Sequence, residues 1–287
     1  MAYLIHLAIF FCIYAILSVG LNLIMGFTGL LSVSQAAFYG LGAYTTAIMI
    51  TQHHWGFFPA LIAGIVVSGF GAFLIGLVLS RFKGDYYALG SIGFSYIIVS
   101  LFTNWDSLTR GALGIAGISR PSIFGLTLNN FHFLILAVVL LIIVYLAAHF
   151  VSTRSFGRVL RAIREDEKAT QVFGYNTQYF KLAVLMIGGA MAAVAGSLFA
   201  TYITFIDPTS FVLIESIFIM AMIILGGLGS LKGSLLGALI LVLLPELLRF
   251  AGFPNSVAAQ MRQLVYGILL VLLMIYRPQG LIGEYKL

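Results

Sequence analysis

The chain reads as an all-α, polytopic bundle of membrane-spanning helices, and three observations carry that reading. Hydrophobic residues make up 61% of the 287, and mean hydropathy is +1.09; soluble globular chains are about 45–50% apolar. Apolar runs recur at roughly the 20 residues needed to cross about 30 Å of hydrocarbon, separated by short polar breaks. The alternation over about 10 residues that marks barrel strands is absent, so backbone groups must be satisfied within helices.

Nine spans follow in order, at about 4–26, 36–51, 57–80, 86–103, 131–150, 181–204, 212–227, 234–250 and 261–276. A re-entrant segment near Gly29–Gln35 would move the total within eight to ten. The whole chain, 1–287, is one transmembrane domain with two long connections, 104–130 and 151–181. The opening MAYLIHLAIF lacks the basic stretch of a cleaved signal, so the first span is expected to stay. Cys12 lies alone inside that span, which predicts a buried, inert thiol.

Charge is scarce, at 8% of residues, and the segment 151–181 concentrates it. Six of the fifteen basic residues are there (Arg154, Arg158, Arg161, Arg164, Lys168, Lys181), with Glu165, Asp166 and Glu167. If this loop faces the cytoplasm, alternation puts the N-terminus outside and the C-terminus inside. The inner breaks then also hold Arg81, Lys83, Lys232, Arg277 and Lys286, and the outer ones only Arg110, Arg120, Arg249 and Arg262. Eleven bases inside against four outside follow the positive-inside bias. The net charge of +6 therefore needs no nucleic-acid partner.

The first break, Gly26 to Gln35, is rich in glycine and hydroxyls but uncharged, so the first helix is expected to stop or unwind within it. Freed backbone at membrane depth must be packed in protein or line a wet cavity. A second break, Gly226 to Gly233, follows the seventh span, and paired interruptions of this kind can mark a transport pathway. Pathway or gate candidates are Asn22, Gly26, Gly29, Ser32, Ser34, Gln35, Glu215, Gly226 and Gly229; plain helix-turn-helix packing is the alternative. Small residues at Gly188, Ala192, Gly196 and Ala200, with Gly189, Ala193 and Ser197 beside them, form a seam for close helix packing. The connection 104–130 is longer than a simple turn needs and either caps the outer mouth, receives an extracytoplasmic partner or is plain surface.

No catalytic constellation is present. His6, His53, His54, His132 and His149 fall near span ends without metal spacing, and Leu231 stands where a phosphate loop needs glycine before Lys232. Asp207, Glu215 and Glu246 are expected toward the outer ends, leaving no acid at mid-span as a proton relay. In the charged loop, Arg158, Arg161, Glu165 and Lys168 follow helical spacing, and Arg161 can pair with Glu165 at i, i+4. Gly174 ends that helix, which carries Ala169, Val172 and Phe173 as apolar contacts. A rigid element anchored at both ends by spans suits a lever worked by a soluble protein; a solvated face that only fixes topology is the alternative.

The run Gly157 to Ala169 (GRVLRAIREDEKA), with Gly174 and Asn176, resembles the cytoplasmic loop of LivM-type permeases from ATP-driven branched-chain amino-acid importers. The match continues in Gly20-Leu21-Asn22-Leu23, Gly42-Ala43-Tyr44, Leu225 to Ser230, Leu244 to Arg249 and Arg277 to Leu281. The resemblance implies a multi-pass subunit of the cell inner membrane. Its partners would be a second, homologous permease, two ATPase subunits and an extracytoplasmic binding protein. ATP and magnesium would belong to the ATPases, with no cofactor in this chain. Arg158, Arg161, Arg164, Glu165, Asp166, Lys168, Ala169 and Gly174 would then couple the ATPase, chiefly through 164–174. The chain departs from the general coupling pattern at Lys168-Ala169-Thr170, and from the family's outer loop at Thr109 to Gly114. Similar permeases serve urea or short amides, which keeps that substrate class open. A self-contained secondary carrier or channel, and a membrane enzyme, are the readings from other classes.

Overall fold

A computed structural model describes residues 2–82, 84–123, 126–250, 267–268, 271 and 279–283. In chain order the helices are α1 (Ala2–Thr28), α2 (Gln35–Thr51), α3 (Phe57–Leu79), α4 (Asp85–Asn104), the single turn α5 (Asp106–Thr109) and α6 (Asn130–Thr153). Then follow α7 (Ser155–Glu165), α8 (Glu167–Val172), α9 (Thr177–Ile203), α10 (Leu213–Gly226) and α11 (Leu231–Phe250). Eight of the nine expected spans coincide with helices to within four residues at either end. The ninth, 261–276, lies largely outside the described residues. Among those described, six helices are long and apolar enough to cross a membrane.

Two long, largely buried helices, α1 and α9, form the centre. α2 and α3 pack on α9, whereas α6, α10 and α11 pack on α1. The small residues of α9 make this possible. A methyl group added at Gly196 would overlap the Tyr39 carbonyl of α2; one at Gly188 would overlap Ile24 of α1; one at Gly189 would press on Ala72 of α3. Close backbone approach replaces hydrophobic expulsion as the source of association, as expected for helices in lipid.

The ends of the bundle sort cleanly. β1 (Ile115–Ala116) of the 104–130 connection pairs antiparallel with β4 (Phe205–Ile206), just beyond the end of α9. Within that connection β2 (Ser122–Ile123) and β3 (Leu126–Thr127) form a small antiparallel pair. The start of α1 is at the same end, where Tyr202 hydrogen-bonds His6 Nδ1 at 2.7 Å. The start of α9 meets the charged loop at the opposite end. The segment 279–283 joins the bundle there too: the Leu281 and Ile282 amides donate to the Leu225 and Gly226 carbonyls at 3.0 and 2.9 Å.

Two local expectations are corrected. The charged segment is not one helix but two, because Asp166 leaves helical geometry (φ −152°, ψ 105°) and its side chain caps α8, accepting from the Ala169 amide at 3.0 Å. Arg161 does not pair with Glu165; its guanidinium lies 5.2 Å from the Phe27 ring centre instead. A cation over an aromatic face at a half-buried position is worth more than an exposed ion pair along a helix.

Candidate functional site

The two glycine-rich breaks meet, and Asn22 joins them. Helix α1 runs past Gly26 to Thr28 and ends at Gly29, whose φ of +72° only glycine adopts without strain. About two turns before that end, Asn22 is fully buried. Its Oδ1 accepts from the Gly229 amide at 2.9 Å, while its Nδ2 donates to the Ser230 carbonyl at 2.9 Å and to Ser234 Oγ at 2.6 Å. The Gly227 carbonyl is 3.3 Å from the same nitrogen. Gly26 must be glycine for this to happen, since a methyl there would overlap Asn22 Oδ1 and crowd the Gly229 amide. Gly226 and Gly233 press backbone against backbone across the second break. Freed backbone groups are thus satisfied by one amide side chain, as burial in an apolar bundle demands.

From Gly29 the chain turns back into the bundle instead of leaving it. The Gln35 side chain, at the start of α2, donates to the Leu17 carbonyl at 3.2 Å and packs on Gly20, far up α1. From Leu17 to Gly29 α1 rises about 18 Å, at about 1.5 Å per residue. The stretch 29–35 spans about 20 Å if extended, at about 3.3 Å per residue, so it has just the reach to return. Its backbone is held by hydroxyls from two neighbours. The Val33 amide donates to Ser91 Oγ at 2.9 Å, the Val33 carbonyl accepts from Ser95 Oγ at 3.0 Å, and the Ala36 amide donates to Ser216 Oγ at 2.9 Å. Ser32, Ser34 and Gln35 are fully buried; the two serines bond each other at 2.9 Å, and Gln35 Oε1 has no partner. Ser91 and Ser95, both buried on one face of α4, hold this stretch, a role that sequence reading did not assign them.

The charged loop grips the same end of α1. Arg164 donates to the Gly26 carbonyl and lays its stem over Gly29, 3.2 Å from where a β-carbon would be. Arg161 covers Phe27, with its Nε buried and without a hydrogen-bond partner. Val159, Leu160 and Ile163 are buried beneath α7. Arg158 bonds Ser155 Oγ at 2.8 Å, and Glu165, Asp166 and Lys168 are exposed. Past α8 the chain turns at Gly174 (φ +88°), leaving Val172 and Phe173 87% and 81% exposed. These two are apolar as expected, but nothing among the described residues covers them.

A latch that sequence reading did not find ties α8 to the base of α9. Lys181, 3% exposed, holds Glu167 Oε1 at 2.6 Å; Thr177 Oγ1 donates to the same oxygen at 3.1 Å and accepts from Gln171 at 2.8 Å. The spacing of fourteen residues crosses a turn, and no helical periodicity announces it.

Glu215 stands in the first turn of α10. α10 runs alongside α1 in parallel: the Tyr14 and Phe218 rings meet edge to face at 5.4 Å, Ser18 Oγ lies 3.4 Å from Met222 Sδ, and Asn22 reaches Gly227. On that register the first turn of α10, with Glu215, lies beside the N-terminal half of α1. Glu215 is partly exposed and, among the described residues, no cation lies within ion-pair distance.

Comparison with known proteins agrees with this arrangement. The family described as "Branched-chain amino acid transport system / permease component" matches residues 3–274. The permease LivM of the high-affinity branched-chain amino-acid transport system of Escherichia coli is 37% identical, over 94% of this chain and 68% of its own length. The permease LivH of Salmonella typhimurium is 28% identical, over 94% and 91%. The probable LivM of Methanocaldococcus jannaschii is 28% identical, over 78% and 68%. No solved structure matches. A match over nearly the whole chain, with the paired breaks and the gripping loop inside it, makes this chain a member of the family of permease components of branched-chain amino-acid transport systems.

Proposed function

We propose that the chain is one permease half of an ATP-driven importer of branched-chain or closely related amino acids in the cell inner membrane. It forms the translocation pathway with a second, homologous permease. Two ATPase subunits, which hold ATP and magnesium, dock on the 158–174 region, and an extracytoplasmic binding protein delivers the solute. The observation that carries this reading is the grip of Arg164 and Arg161 on the end of α1, because it links the charged loop to the Asn22 junction without passing through the whole bundle.

In the mechanism, the uncovered Val172 and Phe173 and the exposed charges of Glu165, Asp166 and Lys168 are the docking surface. Closure of the ATPases displaces α7 and α8. That pulls on the Gly26 carbonyl, and the junction of Asn22, Gly26, Gly226 and Gly229 shifts between two packings. The stretch holding Gly29, Ser32, Ser34 and Gln35 is the gate: non-helical, held by hydroxyls that can exchange partners, and hinged at a glycine. Transport is a population shift between inward-open and outward-open states, which ATP and the loaded binding protein favour differently.

Orientation rests on the basic residues. The end bearing α7 and α8 holds most of them, which supports a cytoplasmic loop. The start of α1 and the segment 279–283 are at opposite ends, which requires an odd number of crossings and supports nine.

Co-purification tests the proposal. The chain is expected to bring down its ATPases stoichiometrically, and to lose them when 158–174 is scrambled. Arg161→Glu and Gly174→Arg are expected to leave insertion intact and to separate ATP hydrolysis from uptake. Unchanged uptake in both variants would contradict the docking assignment.

A further inference from the structure

We infer that the face of α4 carrying Leu89, Gly93, Tyr96, Ser100 and Asn104 is a wall of the aqueous passage through which the solute moves, with the gate held on the opposite side of the same helix. The inference rests on the reading of this chain as one permease half of an importer.

Three observations converge on it. The first is a contrast in what the bundle shows to its surroundings. Among the six described helices long and apolar enough to cross a membrane, α4 is the least apolar, yet only α3 and α6 are less buried. The exposed face of α3 is apolar throughout, as at Ile62, Val66, Phe70 and Leu74, and so is that of the middle of α6, at Ile135, Val139, Ile142 and Leu146. Those two faces suit lipid. α4 instead exposes Gly93, Tyr96 and Ser100 between its ends; Tyr96, near the middle of the 20-residue helix, is 61% exposed. One turn further on, the exposed Asn104 donates to Ser100 Oγ at 3.1 Å. A tyrosine facing lipid belongs at a membrane surface, whereas polar groups within a span turn to protein or to a water-filled cavity.

The second observation is the arrangement of the stripe. Its five residues recur at helical spacing, so they share one face, and Ser91 and Ser95 fall on the other. Those two serines hold the Val33 amide and carbonyl of the return stretch at 2.9 and 3.0 Å. One helix thus stands between the gate and the exposed stripe. The third observation is room: a β-carbon at Gly93 would meet nothing among the described residues within 4 Å, whereas one at Gly90, a turn earlier, would overlap Leu79. The centre of the stripe is open.

Its chemistry fits a small zwitterion with a hydrocarbon side chain. Water and the hydroxyls of Tyr96 and Ser100 meet the charged groups, and Leu89 with the neighbouring exposed Ile97 meets the tail. The two faces of α4 work together, because a shift of the return stretch alters the hold on Ser91 and Ser95 and so the lean of α4 into the passage.

The experiment uses the full importer, with partner permease, ATPases and binding protein, reconstituted in vesicles. Cys12→Ala removes the single native thiol of this chain, and Gly93→Cys, Tyr96→Cys and Ser100→Cys are introduced one at a time, with Val66→Cys on α3 and Ile142→Cys on α6 as lipid-facing controls. Modification by a charged, water-soluble methanethiosulfonate is read as a mass shift of this chain. The α4 thiols are expected to react in at least one nucleotide state, more slowly when leucine-loaded binding protein is present, and the controls to stay inert. Modified Tyr96→Cys should lose ATP-driven leucine uptake while the complex stays assembled. Inert α4 thiols in every nucleotide state would overturn the assignment, since lipid or a dry partner helix would then cover the stripe. So would equal reaction at the control positions, or full uptake after complete modification of Tyr96→Cys, which would put the stripe in water but off the route. If the unaltered importer accumulates no amino acid with ATP present, the underlying reading fails independently of these variants.

Discussion

Asn22 does opposite jobs at the two ends of one amide: its oxygen accepts from Gly229, and its nitrogen donates among the oxygens of Gly227, Ser230 and Ser234. Asn22→Asp keeps the shape but turns the donating end into an acceptor facing other acceptors, and adds a charge in a buried place. Asn22→Ala removes both ends and leaves buried groups unsatisfied, at about 1–3 kcal/mol for each. The near-isosteric aspartate is therefore expected to lower the thermal midpoint of the detergent-solubilised complex at least as much as alanine does. A stable Asn22→Asp variant would show that the junction is wet or loosely packed. At this scale the sequence was partly legible: Asn22, Gly26 and Gly229 are recognisable as residues at breaks in apolar runs. Their mutual contact was not, because it joins positions some two hundred residues apart and no local periodicity encodes such a pairing.

Among the elements, the charged loop was legible as helical and as ending at Gly174, but not as two helices. Asp166 gave the signal, being a good N-cap residue in the middle of a helical pattern, and the i, i+4 charge spacing masked it. The latch between Lys181 and Glu167 provides a test at this scale. Removing one partner leaves a buried charge without its counter-ion, a loss of about 3–5 kcal/mol where burial is complete. Glu167→Gln is thus expected to loosen α8 from α9 and weaken ATPase retention, whereas Glu167→Gln combined with Lys181→Met should be milder than the single change. Retention unaffected by Glu167→Gln would contradict the latch. The return segment 29–34 is the second element test. Removing the hydroxyls of Ser91 and Ser95 leaves the Val33 amide and carbonyl without their partners. Ser91→Ala with Ser95→Ala is expected to speed proteolysis or hydrogen exchange across 29–35 in the assembled importer; unchanged protection would mean that the hydroxyls do not hold the segment.

For the whole molecule, span positions were the most legible feature, since length and hydropathy are dictated by the bilayer and helices must satisfy their own backbone. The stretch 29–35 was legible as a re-entrant candidate, but its depth was not, because a helix that starts halfway down the bundle looks in sequence like any other apolar run. The architecture that results is a bundle in which one end of α1 is shared between a charged loop and a glycine-broken junction. Its central claim is that work done on the loop by ATPases moves the junction and thereby the solute. The direct measurement is leucine uptake per ATP hydrolysed in the reconstituted importer, comparing the unaltered chain with Arg164→Gln. The account predicts uptake that depends strictly on hydrolysis and, in the variant, continued hydrolysis with uptake reduced about tenfold or more. Uptake that proceeds at full rate without the ATPases, or that is as well coupled in Arg164→Gln as in the unaltered chain, would contradict it.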